Sequence, residues 1–177
     1  ACEGIEEMMK IRQETPADYK HIDCLITTAF ENAAHADGNE HDLVRALREG
    51  ENYIPELSLV AEEDGVLLGH ILFTRAKVEE TTVLALAPLA VKPEYQGQGI
   101  GRALIQRGHD IAYELGYVYS LDLGSENYYP KLGYKPAHLF GIMPPFDVPA
   151  VNFMAIKIND ASPEITGVLE YAKEFGI

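Results

Sequence analysis

Apolar and polar positions in the first fifty residues follow two different periods. Apolar and polar side chains alternate over 9–12, and residues 8–13 are predicted to form a short first strand. Over 16–30, apolar side chains recur every three or four positions behind a Thr-Pro pair, which is typical of a helix start. A polar stretch over 32–40 ends this pattern, and the spacing predicts a second helix over 42–49 that Gly50 terminates.

The next forty residues show the shorter period of a sheet. Apolar runs at 57–61 and 66–73 flank a turn that contains Gly65, so we expect them to form a hairpin. A third run, 82–91, is rich in small and β-branched residues. Pro88 lies inside this run and cannot donate a hydrogen bond to a neighbouring strand, so the strand is expected to bulge or lose pairing there.

The second half of the chain alternates helices and strands. Helical spacing over 100–115 is followed by a buried-looking strand over 117–123, a short helix over 127–132 and a last strand over 151–158. Residues 167–176 are predicted to form an amphipathic end. This element order predicts a mixed α/β sheet around one strand–helix–strand crossover.

Composition narrows the class of protein. With 177 residues, 47% of them hydrophobic and 24% charged, the chain suits one soluble domain over 8–177, preceded by an acidic tail at 1–7. No apolar run approaches the roughly 18 residues of a membrane helix, and the N-terminus lacks the layout of a signal peptide, so a cytoplasmic location is expected. A net charge of −14 opposes binding to nucleic acid or anionic lipid and weakly favours a cationic partner such as an amine.

Neither a disulfide framework nor a metal site is expected. The chain has two cysteines, Cys2 and Cys24, and Cys24 falls on the apolar face of the first predicted helix, where we interpret it as a small core residue. His21, His35 and His41 are nearby metal-ligating side chains, but their spacing does not match a known zinc pattern.

A glycine-rich turn before the third predicted helix carries the most chemical information. Residues 96–101 contain three glycines at alternate positions. Glycine lets the backbone approach a ligand closely, and the free N–H groups at a helix start attract a phosphate or pyrophosphate. Lys92 and Arg102 add local positive charge. A turn with no ligand needs fewer glycines, so an anion-binding cradle is the favoured interpretation.

Two other nucleotide-binding patterns fit this turn less well. The Rossmann fingerprint requires Gly-x-Gly-x-x-Gly in an opening strand–helix–strand unit, whereas this turn has Gly-x-Gly-x-Gly in the middle of the chain. A P-loop would continue with Gly-Lys-Ser/Thr, which the sequence does not contain here. A nucleotide-binding oxidoreductase is therefore disfavoured.

Residues 96–101, Gln-Gly-Gln-Gly-Ile-Gly, resemble the Gln/Arg-x-x-Gly-x-Gly/Ala signature of the GNAT superfamily of acetyl-CoA-dependent N-acetyltransferases. The lead-in over 91–95 is similar to that of the family, and residues 128–134 resemble its second element, a Tyr followed by x-x-Leu-Gly-aromatic. The resemblance extends over residues 8–159. It implies a single GNAT-like domain whose central, mostly antiparallel sheet splays at one parallel strand pair and is flanked by helices.

The resemblance also implies where acetyl-CoA binds. Pantetheine is expected along the backbone of Leu89, Ala90 and Val91, with the Leu89 N–H facing the thioester carbonyl. The other residues implied in binding belong to the cradle and the start of its helix: Gln96, Gly97, Gln98, Gly99, Gly101 and Arg102. No metal is expected to take part.

By the same resemblance, Tyr129 occupies the position of the general acid that protonates the departing thiolate, and Tyr128 is the alternative if the short helix is rotated by one residue. Many relatives carry a glutamate base on the strand before the cradle, but residues 82–89 contain no ionisable side chain. Four weaker candidates for the base remain: His70, Glu79, Glu80 and His109.

The expected function is transfer of an acetyl group from acetyl-CoA to a primary amine, by direct attack of the amine on the thioester. The acceptor stays open between a polyamine, an aminoglycoside-like compound, an amino acid, and a protein N-terminus or lysine. A non-catalytic acyl-CoA sensor would share the cradle and is the alternative. Neither nucleic acid nor a membrane is expected as a partner, and a homodimer is left open.

Overall fold

The structure, a computed structural model, describes residues 9–31 and 38–177. The expected acidic tail at 1–7 and most of the polar stretch after the first helix lie outside the described residues. The helices are α1 (Tyr19–Phe30), α2 (Glu40–Glu49) and α3 (Ile100–Glu114). The strands are β1 (Met9–Gln13), β2 (Tyr53–Glu63), β3 (Val66–Val78), β4 (Thr81–Val91), β5 (Tyr119–Leu123), β6 (Lys135–Pro136), β7 (Ile142–Met143), β8 (Phe153–Lys157) and β9 (Gly167–Glu170).

Local sequence explains where the helices begin and end. A 3-10 helix, Pro16–Asp18, leads into α1, and the Thr15 N–H donates a hydrogen bond to the Asp18 carboxylate at 2.8 Å. Helix α3 begins directly after Gly99, whose φ is +88°, and the chain leaves it through Gly116 at φ +86°. Glycine adopts this left-handed conformation without the strain that other residues incur, so both boundaries are set by sequence.

The strands of the described residues form a mixed sheet in the order β1-β2-β3-β4-β5-β8-β6. Strands β1 to β4 are antiparallel neighbours in chain order, and β5 is antiparallel to β8. Strands β4 and β5 run parallel, because the chain crosses from one to the other through α3. The two-residue pairing of β7 with β9 is also parallel. The predicted fold, mostly antiparallel with a parallel pair at its centre and helices on its faces, is confirmed.

The parallel strands β4 and β5 separate after three residue pairs. Their register joins 84–86 to 120–122. Strand β4 stays paired with β3, where Leu89 lies opposite Ile71, after a register shift that gives β4 one extra residue next to Pro88. The bulge predicted at Pro88 is therefore confirmed, and the sheet forks at this point.

Helix α3 covers one face of the sheet, and helices α1 and α2 cover the other. Helix α3 comes close because two facing positions are glycine: a Cβ on Gly108 would stand 2.8 Å from Phe73 Cζ, and one on Gly69 would stand 2.9 Å from Leu104 Cδ1. The core on the other face buries apolar side chains of α1, α2 and the sheet: Ile22, Leu25, Ile26, Val44, Leu47, Val60 and Leu72.

Buried polar side chains join the end of β1 to α2, β2 and β3. Arg48 Nε donates to Glu14 Oε2 at 2.7 Å, Ser58 donates to Glu14, and His70 Nε2 lies 3.3 Å from Ser58 Oγ. Burial alone would raise the pKa of Glu14, but hydrogen bonds from His70, Arg48 and Ser58 outweigh it and lower that pKa to about 2. Burial lowers the pKa of His70, which is fully buried. His70 therefore has a structural role in this cluster.

The structure departs from the sequence-based expectations in short elements. The expected helix over 127–132 is a 3-10 helix, Tyr129–Leu132. The expected amphipathic end is the strand β9 followed by a 3-10 helix, Lys173–Phe175. Cys24, expected in the core, is exposed, because the isoleucine and leucine side chains of α1 turn inwards and leave it outside their stripe. Within the described ranges, no helix is both long and apolar enough to cross a membrane.

Candidate functional site

A cleft of about 510 Å³ lies at the fork between β4 and β5. Three segments line it: the end of β4 beyond the bulge, the glycine-rich turn with the first residues of α3, and the chain that follows β5. Beyond Leu86, β4 is no longer paired with β5. The edge of β4 that faces the cleft therefore offers backbone groups to an extended ligand.

The glycine-rich turn has the geometry of an open cradle. Gly97 and Gly99 have φ of +79° and +88°, and a Cβ at either position would meet no atom within 4 Å. Gln96 Nε2 donates to the Val91 carbonyl at 3.1 Å, which ties the turn to β4. The first N–H groups of α3 have no partner within the helix, so they can bind an anion placed in the cradle.

Positive charge lies beside this helix end although the protein as a whole is acidic. Arg102 and Lys131 both line the cleft. Lys92, expected to help, instead lines a smaller cavity between α1 and the β2–β3 turn. The open cradle, the start of α3 and two cations together suit a pyrophosphate.

The cleft brings together seven of the residues expected to bind the cofactor: Leu89, Val91, Gln96, Gly97, Gly99, Gly101 and Arg102. Ala90 is buried in the core on the α1–α2 face, and the Gln98 side chain donates to the Glu94 carbonyl at 3.4 Å. The sequence interpretation missed Tyr95, Ile100 and Lys131 as lining residues. For Lys131 the signal was available, because it lies inside the Tyr-x-x-Leu-Gly element.

The two neighbouring tyrosines take different positions. Tyr128 lines the cleft, and its hydroxyl lies where a Cβ on Gly101 would stand. Tyr129 does not line the cleft; its ring makes an edge contact with Tyr128, with centroids 5.0 Å apart, and another with Tyr134 at 5.7 Å. Burial raises the pKa of Tyr129, and the nearby Asp122 charge raises it further, so the hydroxyl keeps its proton.

Asp122 is a buried acid that the sequence interpretation overlooked. It lies on β5 opposite Leu86, in the last pair before the fork, and is 3% exposed. Its Oδ2 has no hydrogen-bond partner among the described residues. Burial raises the pKa of Asp122 well above its usual range. The available signal was an acid at the end of a strand that is otherwise buried.

The four residues considered for a base lie outside the cleft. His70 belongs to the buried cluster with Glu14, and Glu79 and Glu80 are exposed in the β3–β4 turn. His109 lies on α3 and faces Phe73 of the sheet, and its Nε2 lies 2.9 Å from the Tyr134 hydroxyl.

Known proteins share both this geometry and its sequence. The model of the Acetyltransferase (GNAT) family matches residues 12–134. The chain belongs to the GNAT family of acetyltransferases. It is 33% identical over 171 residues to "Uncharacterized N-acetyltransferase YhbS" of Escherichia coli K12. That alignment covers 94% of this chain and 98% of YhbS. It is 41% identical over 124 residues to "Uncharacterized N-acetyltransferase YjhQ" of the same organism, covering 67% of this chain and 68% of YjhQ.

Two solved GNAT structures are similar over almost the whole chain. Escherichia coli YhbS in complex with CoA has a TM-score of 0.87 and 30% identity, with 96% of this chain and 93% of that one covered. A GNAT acetyltransferase from Brucella melitensis in complex with acetyl-CoA has a TM-score of 0.79 and 31% identity, with coverage of 94% and 97%. The described part of this GNAT chain holds no group of three or more His, Cys, Asp or Glu side chains arranged for a metal.

Proposed function

We propose that this GNAT protein moves the acetyl group of acetyl-CoA to a primary amine by direct attack of the amine on the thioester. One observation carries the proposal: the fork between β4 and β5 opens onto a glycine cradle at the start of α3. A fork that frees one strand edge beside an anion site suits a ligand with an extended amide arm and a pyrophosphate. The complexes of YhbS with CoA and of the Brucella melitensis relative with acetyl-CoA support this assignment.

The chain's own residues would bind acetyl-CoA and polarise its thioester carbonyl. The cradle around Gly97 and Gly99 would receive the pyrophosphate, with Arg102 and Lys131 balancing its charge. The free edge of β4 at 89–91 would pair with the pantetheine amides. A Leu89 N–H aimed at the thioester oxygen would stabilise the charge that develops there by about 2–4 kcal/mol.

Tyr129 is the proposed general acid. Its place in the Tyr-x-x-Leu-Gly-aromatic element supports this role, as does its half-buried ring next to the cleft-lining Tyr128. Its raised pKa keeps the hydroxyl protonated at neutral pH. A group that must deliver a proton to a thiolate needs to be protonated at the start of the reaction.

Turnover of Tyr129→Phe tests this role, because the change keeps the ring and removes only the hydroxyl. We expect the rate of CoA thiol release to fall about a hundredfold or more, the lower end of the range for lost general acids. Calorimetric affinity for acetyl-CoA should barely change, since the hydroxyl acts mainly as the carbon–sulfur bond breaks.

Tyr128→Phe is the matched control. Its hydroxyl lies over Gly101 in the first turn of α3, where we expect the pyrophosphate, so turnover at saturating acetyl-CoA should change little. Loss of activity in Tyr128→Phe with full activity in Tyr129→Phe would show that the roles of the two tyrosines are exchanged. Full activity in both variants would rule out acid catalysis by this element.

A non-catalytic acyl-CoA sensor is the second candidate, favoured by one observation. Among the described residues that line the cleft there is no Asp, Glu or His. A sensor would bind acetyl-CoA and release no thiol with any amine. A screen of polyamines, aminoglycosides, amino acids and peptides for thiol release, beside a calorimetric titration with acetyl-CoA, separates the two functions.

A further inference from the structure

The fork of the sheet holds an acid and a tyrosine within one small volume. A Cβ on Gly124 would stand 2.9 Å from Asp122 Oδ2 and 2.9 Å from Tyr129 Cδ2. The glycine therefore leaves room for both side chains. Asp122 belongs to the last β4–β5 residue pair, and the β4 edge that faces the cleft begins just beyond its partner, Leu86.

The surroundings of Asp122 leave its carboxylate without compensation. The groups that feel its charge are tyrosines from the segment after β5 and from the C-terminal segment: Tyr128, Tyr129, Tyr134 and Tyr171. Burial raises the pKa of Asp122, and no hydrogen bond from the described residues reaches its Oδ2 to offset the loss of solvent. The next titratable group is His109, whose Nε2 is hydrogen-bonded to the Tyr134 hydroxyl. Burial lowers the pKa of His109 to about 4.

A buried carboxylate with an unpaired oxygen is costly, and structural acids in proteins are normally paired. The cluster around Glu14 shows how this chain satisfies an acid that serves only the fold: Arg48 and Ser58 both bond to it. Among the residues that the structure describes, Asp122 has no such partners, so it suits a ligand that brings its own proton or positive charge. An amine acceptor brings both as its ammonium ion.

We propose that Asp122 is the general base of the acetyl transfer and binds the acceptor as an ammonium ion at the fork. This inference rests on the proposed function. Asp122 takes one proton from the ammonium, the nitrogen lone pair forms the N–C bond, and the C–S bond breaks with its electron pair going to sulfur. Tyr129 gives its proton to that sulfur, and the acetylated nitrogen loses its surplus proton. That proton restores Tyr129, while the one on Asp122 leaves to solvent, so atoms and charge balance.

The first test compares Asp122→Asn with Glu126→Gln. Asparagine keeps the shape of the side chain at the fork, and the control removes an exposed carboxylate, four residues further along the chain, that accepts a hydrogen bond from Asn152. The substrates are acetyl-CoA with the best amine from a panel of spermidine, lysine, tyramine and an alanine-initiated peptide. We expect kcat/KM of Asp122→Asn to fall about 10²–10⁴-fold, with unchanged acetyl-CoA affinity and with Glu126→Gln near wild type.

The pH profile separates a base from a structural residue. Wild-type kcat/KM should rise with pH through the deprotonation of Asp122 and fall again above the pKa of the amine, because the ammonium ion is the form that binds. In Asp122→Asn the rising part set by Asp122 should vanish, and the residual rate should follow the deprotonation of the amine alone. A wild-type rate and profile in Asp122→Asn would overturn the inference and leave the proposed function standing. Wild-type protein that binds acetyl-CoA and acetylates none of the four amines would overturn both.

A second measurement needs no acceptor. In protein labelled with ¹³C at the aspartate carboxyls, the Asp122 signal is identified by its loss in Asp122→Asn. It should titrate well above the ordinary aspartate pKa of about 4. Titration at the ordinary value, both without ligand and with CoA bound, would mean that the carboxylate is solvated or paired, and would overturn the inference.

Discussion

At the scale of single residues, Gly99 gives the sharpest test of where the ligand binds. Its φ is +88°, and a Cβ there would extend into open space at the start of α3. Gly99→Glu places a like charge where we expect pyrophosphate. Acetyl-CoA at about a hundred times its Kd should stabilise the wild type by about 2.7 kcal/mol, or roughly 5–10 °C in Tm. The variant should show no such shift in a thermal-melt assay.

Gly65→Glu is the matched control for this substitution. Gly65 has φ +80° and equally open surroundings, but it lies in the β2–β3 turn. Both variants should therefore lose about 1–2 kcal/mol of stability from the left-handed backbone, and Gly65→Glu should keep the full response to acetyl-CoA. An equal response in both variants would place the ligand away from the cradle.

Residue identity alone pointed to the glycine-rich turn that lines the cleft, and it did not point to Asp122. Glycine spacing is visible in a sequence because glycine has few reasons to recur at alternate positions. Asp122 was missed although the strand over 117–123 looks buried, because an aspartate near the end of a strand is normally exposed to solvent. Helix α3 and the segment that carries Tyr134 cover the face of β5 on which Asp122 lies, so the acid is buried.

At the scale of elements, the sequence predicted the long helices and strands and the bulge of β4. Pro88 has one clear consequence in a strand, which is why the bulge could be anticipated, whereas the fork was implied by the GNAT resemblance. The two-residue strands β6 and β7 left no periodic signal, since their pairing depends on the strands beside them. The helix expected over 127–132 is short and of 3-10 type, because Pro130 has no N–H to donate and Gly133 ends the turn at φ +99°.

The packing of α3 on the sheet predicts a pH dependence of stability. His109 joins α3 to Tyr134 through a 2.9 Å hydrogen bond, and burial lowers its pKa to about 4. This histidine stays neutral in the folded state, whereas the unfolded chain binds a proton near pH 6.5. Its contribution to the stability of the folded state is therefore complete above pH 6.5. That contribution is lost as the pH falls towards 4, and it amounts to at most about 3 kcal/mol.

His109→Gln removes this titration and keeps a hydrogen-bonding side chain. Between pH 7 and about 4.5, the free energy of unfolding from urea titrations should fall more steeply for the wild type than for the variant. Glu14 and His70 also make the free energy of unfolding depend on pH, but they do so equally in both proteins, so their contributions cancel in the comparison. Parallel pH curves would show that His109 is protonated, or solvated, in the folded state.

At the scale of the whole molecule, charge is divided between an acidic surface and a basic cleft. The net charge is −14, yet Arg102 and Lys131 lie beside the cradle. A ligand as anionic as CoA must therefore approach against the field of the protein and be held by local contacts. A cationic acceptor would be drawn by that same field, which gives the two substrates opposite responses to salt.

Salt dependence of the acceptor reaction tests this division of charge. With acetyl-CoA saturating, kcat/KM for spermidine should fall about tenfold between roughly 20 and 300 mM NaCl, because screening shortens the reach of the acidic surface. Tyramine, with a single positive charge, should lose much less, and it controls for any effect of salt on the chemical step. The measurement is initial-rate thiol release at several salt concentrations for both amines. Identical responses would mean that the acidic surface does not steer the acceptor, and would leave solubility as the consequence of the net charge.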